Sequence, residues 1–504
     1  FVFFDQGITV TYAELYERVR RVANGLLLMG VRKGTHIAMM LPNAIEFPVT
    51  WLAIAWVGAV SIQLNPKFTG RELDYTLNDA DADYLIIDEK CLPALDAMEQ
   101  RTERLPDANI IVRTSDSESG AYVAWQDLVR NDPLPAEPPA NMTEHDLMTI
   151  LYTSGTTGFP KGCMLDHRYW LQLCQCVLFI QGGHTPRNVL VYEPMFYMQG
   201  NGLFIGALLW NATTYCAERP SISKFLEWVQ RYAIDYCAFP EPVVHIMDNY
   251  PSEIGKSLKF VHSWYFHGDG RERVEKRFGV IARDSFAMTE NGVDLYVPTD
   301  RPDLAATGSM GVPAPWREIC IVDKQGNVLA DGEVGEMWTA GPGHMDGYYR
   351  KTFANRESFH GRWFRTGDLV QREASGGYYL IGRIKDMIKR SGENISAAEV
   401  EDCLCRLSGI VLAAVVAVPN AARGEEVKAY VKLRSGLTSE DVSPKKILAH
   451  CAENLAAFKV PRYLAYTEVF PMTVADDKVS KSQLTEDIKD LTAGAYDRIS
   501  DTWH

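Results

Sequence analysis

The sequence predicts an α/β protein: a large N-terminal domain of βαβ-type sheets with an antiparallel subdomain, then a small mobile α+β domain. Three observations predict it. Short apolar runs of strand length alternate with longer helical patterns through most of the chain, the signature of mostly parallel sheets. Between about 308 and 382 the texture changes to short strands with Gly-rich turns, as in 319–323 and 335–339, which points to antiparallel pairing. After Gly382 a helix, two strands and a second helix fit within about a hundred residues, enough for a separate small domain. The expected domains are 1–383 and 384–504.

The elements follow in order. Thr11 and Glu14 have capping-box spacing, and Leu15, Val19, Val22 and Leu26 make one apolar stripe that ends at Gly30, so a helix is expected from about 12 to 29. Strands are expected at 36–41, 59–64, 83–88 and 109–113, with a helix at 44–57. The Pro-rich stretch 131–141 (NDPLPAEPPAN) reads as an exposed connector to an apolar run at 147–151. Strands follow at 188–193, 235–239 and 260–264, and helices near 202–210 and 221–232. The last part should hold helices at 397–407 and 443–455 and strands at 413–419 and 427–433. No internal repeat is visible.

Composition narrows the function. The 504 residues allow two or three domains and an ample core. A net charge of −14 argues against nucleic acid or an anionic membrane as a bulk partner. The ten cysteines form no CxxC pair, which fits reduced, mostly buried thiols in a cytoplasmic protein. The longest apolar run, 48–64, is broken by Gly58 and too short to span a bilayer, so no transmembrane segment is expected. No basic-then-apolar leader opens the chain, and its first residue is Phe, so an upstream start is left open.

The stretch that organises the chemistry is YTSGTTGFPKG, 152–162. Thr153, Ser154, Thr156 and Thr157 supply hydroxyls, Gly155 and Gly158 let the backbone turn closely, and Lys161 adds one cation. A donor-rich loop leaving a strand can cradle phosphate. The spacing is not that of a Walker loop, because only two residues separate Gly158 from Lys161 and no hydroxyl follows the lysine. A plain surface loop is the alternative. In DSFAMTEN (284–291), Thr289 and Glu290 end an apolar run, where a hydroxyl and carboxylate could hold Mg²⁺ or simply cap a loop. In RTGDL (365–369), Asp368 follows a glycine and could accept from both hydroxyls of a ribose; such strings are also ordinary turns. Arg383, Lys385, Lys389 and Arg390 concentrate positive charge around a Gly-containing loop, either an anion site at a domain boundary or a solvated basic face.

In their order, YTSGTTGFPKG, FAMTEN, RTGD, GRIKDMIKRSGENIS and the near-terminal PMTVADDKVSK closely resemble the adenylate-forming superfamily of acyl-CoA synthetases, peptide-synthetase adenylation domains and beetle luciferases. The resemblance runs the length of the chain. The string FKVPRY (458–463) and the loop IKRSGENIS are similar in texture to carnitine-type and medium-chain acyl-CoA ligases.

The resemblance implies an enzyme that uses ATP, Mg²⁺ and coenzyme A to convert a carboxylic acid to its thioester through an acyl-adenylate. Thr153 to Lys161 would wrap the ATP phosphates, and Glu290, with Thr153, would hold the metal. Phe286 would pack on adenine, with Ala287, Met288, Thr289 and the Gly268–270 turn bordering the nucleotide. Asp368 would hold the ribose, assisted by Arg383. Lys385 would be the hinge, and Lys478, with Lys481 as fallback, the lysine that reaches the reacting carboxylate. Tyr197, Trp264, His267 and Gly392 would line the acyl pocket or the CoA channel. An aromatic pocket suits either an aromatic or a quaternary-ammonium acid. Glu193 stands where peptide-synthetase domains place an amino-binding Asp region, without a convincing Asp, which favours a non-amino acid. Three departures stand out: Phe286–Ala287 where the family has Tyr–Gly, Tyr197 in place of a His, and Asp476 and Asp477 ahead of Lys478. An adenylation enzyme that feeds a carrier protein or an amine, and a non-catalytic nucleotide-binding protein, stay open, as does a homodimer.

Overall fold

The computed structural model describes all residues except 100, 102, 115–120, 136, 138–140, 154–159, 181, 265, 267, 268, 392, 421, 473–478, 487 and 489, and except the side chains of Val177, Leu178 and Asn394. Among the described residues the strands form four sheets.

The first sheet runs Val123–Ala124, Ile110–Arg113, Tyr84–Asp88, His36–Met40, Val60–Gln63, Leu147–Thr153, Lys161–Asp166. All neighbours are parallel except the last two, which make an antiparallel hairpin. The second sheet has six parallel strands, from Val2–Phe3 through Thr213–Cys216 to Ile281–Met288, with antiparallel partners at its edges.

The main core lies between these sheets. It joins side chains of helices Tyr12–Leu28, Glu46–Trp56, His167–Ile180 and Met198–Leu209 to the inner faces of both. Trp51 and Trp170 meet edge to face at 4.9 Å, and both indole N–H groups donate to the Thr149 hydroxyl. Burying two tryptophans on one strand residue satisfies their polar atoms and fixes the strand that leads into the glycine loop.

The first helix begins as the sequence predicts, with the reciprocal Thr11–Glu14 capping box present. The same signature at Thr69 and Glu72 starts a helix at Gly70–Asp79 that the apolar pattern did not reveal. The 308–382 region holds a five-stranded antiparallel sheet whose final strands are Trp363–Arg372 and Tyr378–Arg383. A single 3₁₀ turn, Ile384–Asp386, then leads to Met387–Arg390, the first strand of the C-terminal sheet. That sheet packs helices Ala397–Arg406 and Pro444–Asn454 against the long hairpin Ile410–Asn420/Gly424–Leu433 and has its own core. Three further strands, Tyr463–Tyr466, Tyr496–Asp497 and Thr502–Trp503, extend it beyond the sequence expectation.

Candidate active site

The hairpin Leu147–Thr153/Lys161–Asp166 carries the glycine loop, and Thr153 and Lys161 face each other as its closing pair. Gly162 leaves little room for a side chain: a Cβ there would sit 2.5 Å from the Ile150 methyl and 3.1 Å from the Tyr152 ring. The other side of Lys161–Asp166 is strapped by 345–349. Met164 N–H donates to the Gly347 carbonyl, Asp346 N–H to Met164, and Tyr349 N–H to Gly162.

That strap delivers Tyr348. Its hydroxyl donates to Glu290 Oε1 at 2.8 Å, and its ring lies under the Lys161 ammonium at 4.7 Å. Met345 N–H donates to the Glu290 carbonyl. The Cys163 thiol sits among these groups: burial first, then the Glu290 charge, raise its pKa, while a Thr153 hydrogen bond and Lys161 oppose that rise. Thr153, Lys161 and Glu290 are therefore near neighbours, although Glu290 lies 137 positions after Thr153 in the sequence. Tyr348, which joins them, is a residue that sequence reasoning missed. Its only signal is the repeated aromatic in GYYR, 347–350.

Glu290 lies in the turn just past the strand Ile281–Met288 and is fixed from behind. Asn291 N–H donates to the Met288 carbonyl, and the Asn291 amide donates to Asp294 and Thr339. Asp294 pairs with the buried Arg317 at 3.0 Å. Ala287 and Met288 pack against the main core, whereas Phe286 packs against a small cluster in the antiparallel region. Thr289 is half-buried in the turn.

Gly367 has φ +74, a conformation glycine adopts without strain, and Asp368 follows it, buried. Asp368 and Arg383 are opposite each other on adjacent strands, and Arg383 Nε donates to Asp368 Oδ1 at 2.8 Å. Lys385 lies two residues on. Partial burial, then the charges of Lys161 and Arg383, lower its pKa, so Lys161 converges with two cations from a distant part of the chain. The basic string splits beyond this point. Arg390 is buried and donates to Glu426 at 2.5 Å, so it belongs to the C-terminal interior, not to an anion site. Lys389 is exposed.

Trp264 and Phe266 lie past the end of strand Phe260–Ser263 and diverge: Trp264 lines a narrow apolar cavity beside helices His167–Ile180 and Met198–Leu209, while Phe266 is buried in a second core. Tyr197 precedes the second of these helices and accepts from the Asn65 amide at 3.1 Å. Glu193 is buried, accepts from Gln199, and has its pKa raised by burial to about 8. Ser154, Gly155, Thr156, Thr157, Gly158, His267, Gly268, Gly392 and Lys478 lie outside the described residues. Val479, next to Lys478, bridges Met472, and the Lys481 ammonium is held by Glu401 at 2.8 Å and Asp386 at 3.6 Å.

The model of the AMP-binding enzyme family matches residues 1–349, and that of the AMP-binding enzyme C-terminal domain matches 399–476. The chain belongs to the AMP-binding enzymes. Relatives of this AMP-binding enzyme are named as CoA ligases. A probable CoA ligase of Humulus lupulus is 31% identical, the match covering 95% of this chain and 91% of the relative. A feruloyl-CoA synthase of Amycolatopsis is 29% identical over 95% of this chain and 94% of its own. The fold matches the o-succinylbenzoate CoA synthetase of Bacillus subtilis, solved with its acyl-adenylate, at TM-score 0.82 and 24% identity, covering 96% and 95% of the two chains. No helix among the described residues is long and apolar enough to cross a membrane.

Proposed function

We propose that this AMP-binding enzyme is an AMP-forming acid–thiol ligase that activates a carboxylic acid with ATP and passes the acyl group to coenzyme A. The observation that carries the reading is the convergence of Lys161, Arg383 and Lys385 beside Glu290 and the Asp368–Arg383 pair. ATP and a carboxylate are both anions, and bringing them together requires this density of fixed positive charge.

A substrate carboxylate oxygen bonds to the α-phosphorus as the bond to the bridging oxygen breaks, giving acyl-adenylate and pyrophosphate. Lys161 stabilises charge on the phosphates, and Asp368, held by Arg383, accepts from the ribose hydroxyls. The CoA sulfur then bonds to the acyl carbon, the carbon–oxygen bond to AMP breaks, and the thiol proton leaves to solvent. The donor set suits Mg²⁺: one carboxylate at Glu290 and one hydroxyl at Thr153, with phosphates and water supplying the rest. Among the described residues no group of three His, Cys, Asp or Glu forms a protein cage for a metal. Bound there, Mg²⁺ would neutralise phosphate charge.

Residues 1–383 and 384–504 act as two bodies joined at Lys385. The 3₁₀ turn Ile384–Asp386, between the last strand of one sheet and the first of another, supports this division. Lys478 is the lysine assigned to adenylation, because Lys481 is engaged by Glu401 and Asp386. Incubation with ATP, Mg²⁺, CoA and a panel of acids should release pyrophosphate and give a thioester detectable by mass spectrometry. An adenylate that stays unconverted when CoA is added would overturn the choice of acceptor. Lys478→Ala should slow adenylation far more than thioester formation from supplied adenylate; equal loss in both steps would show the lysine is misassigned.

A further inference from the structure

Lys161 and Glu290 carry opposite charges and lie close enough for both to act on the Cys163 thiol. Among the described residues, neither takes part in a salt bridge, with the other or with anything else. Opposite charges this near and partly out of water attract strongly unless something holds them apart. Tyr348 stands between them. Its hydroxyl donates to Glu290 Oε1 at 2.8 Å, the one hydrogen bond the carboxylate accepts among the described residues. Its ring face takes the Lys161 ammonium at 4.7 Å from the centroid. Both contacts come from a neutral side chain, so the cation and the carboxylate are steadied with their charges uncancelled.

Tyr348 is itself fixed through its backbone. Its N–H donates to Asn355 Oδ1 at 2.7 Å and its carbonyl accepts from Asn355 Nδ2 at 3.0 Å, so one side-chain amide takes the place of a neighbouring strand. On its other side Tyr348 makes an antiparallel bridge to Cys163, and the whole residue is buried. A side chain held this firmly sets the separation of its neighbours. Resting on the ligase reading above, we infer that Tyr348 is a positioning residue that keeps Lys161 and Glu290 from neutralising each other before ATP arrives. Lys161 is thereby left for phosphate oxygens, and the Glu290 oxygen that Tyr348 does not hold is left for the cation that accompanies ATP. Without this spacer the lysine turns to the carboxylate, and both groups are lost to the nucleotide.

The test measures ATP binding by calorimetry on the full-length enzyme in EDTA, with no acid or metal present, and AMP as the control ligand. Tyr348→Leu removes ring and hydroxyl together and should weaken ATP on the order of tenfold, the worth of one charged contact, while AMP stays within about twofold. AMP lacks the outer phosphates and keeps the ribose that Asp368 would hold. The deciding measurement is a double-mutant cycle with Glu290→Gln. Made alone, Glu290→Gln should raise ATP affinity about twofold by removing a like charge. Made in the Tyr348→Leu enzyme, it should raise that affinity on the order of tenfold, because it also releases the captured lysine. Tyr348→Phe, which keeps the ring and loses the hydroxyl, should show the same coupling more weakly, and supplies the readout if the leucine variant does not fold. Equal gains from Glu290→Gln with and without the tyrosine, or ATP binding indifferent to the side chain at 348, overturn this inference and leave the ligase reading standing. An unsubstituted enzyme that binds neither ATP nor AMP counts against both.

Discussion

Lys385 and Arg390 stand five residues apart in one basic string and meet opposite surroundings. Arg390 is buried beside Glu426, whose other oxygen faces Arg423 and Arg462 at 3.5 Å, so its charge is consumed inside the C-terminal unit. Lys385 is exposed, and partial burial and then the charges of Lys161 and Arg383 lower its pKa against the opposing charge of Asp386, so the fold sets like charges side by side there. Charge that the fold neutralises is structural. Charge that the fold crowds together is held ready for an anion from outside.

The contrast can be broken by substitution. Arg390→Ala takes the hydrogen-bonded guanidinium from the buried Glu426, which keeps Arg423 and Arg462 near its other oxygen, and should cost about 1–3 kcal/mol, read as a lower unfolding midpoint in urea. Little change there would show the pair to be incidental. Lys161→Ala removes a site cation without burying anything new; pyrophosphate release should fall on the order of 10²–10³-fold while the midpoint hardly moves. A large drop in stability with intact turnover would reverse its assignment.

Acid offers a third probe, directed at the cavity. His262 has a folded pKa lowered to about 4 by burial, below its unfolded value, so between the two the unfolded chain binds more protons. Stability is therefore full above the unfolded pKa and is lost as pH falls, by about 1.4 kcal/mol per pH unit from this residue. His344 shifts the same way, through burial and then the Arg317 charge. Unfolding midpoints measured from pH 7 to 5 should fall, and His262→Gln should flatten the slope. Lys385→Ala should show the smallest effect: no loss of stability beyond about 0.5 kcal/mol, and a few-fold rise in KM for ATP that shrinks as salt is added.

Much of the scaffold was legible because its signals are local. The Thr11–Glu14 box, the apolar stripe behind it and the short buried strands each specify their element within one turn or one strand. Helix Gly70–Asp79 escaped notice although Thr69 and Glu72 announce it, because its apolar stripe is sparse. The two-residue strands Tyr496–Asp497 and Thr502–Trp503 are too short to carry a period at all. In the site, motif order located Glu290, Asp368 and Arg383, whose roles remain proposals, but no local pattern could reveal that Tyr348 bridges Glu290 and Lys161. That contact joins residues 58 apart through the strap on Lys161–Asp166. The basic string misled in part for the same reason: Arg390 finds its partner 36 residues downstream.

The pairing of Thr153 with Lys161 closes the hairpin and sets the strand register that aims the lysine. Side chains on a strand alternate between faces, so one residue added or removed between Lys161 and Asp166 would turn Lys161 from the Tyr348 ring to the opposite surface. Changes confined to the interval 154–160 leave that orientation intact. The chain can therefore vary the composition of its loop while the lysine keeps its aim, a separation useful to anyone redesigning one without the other.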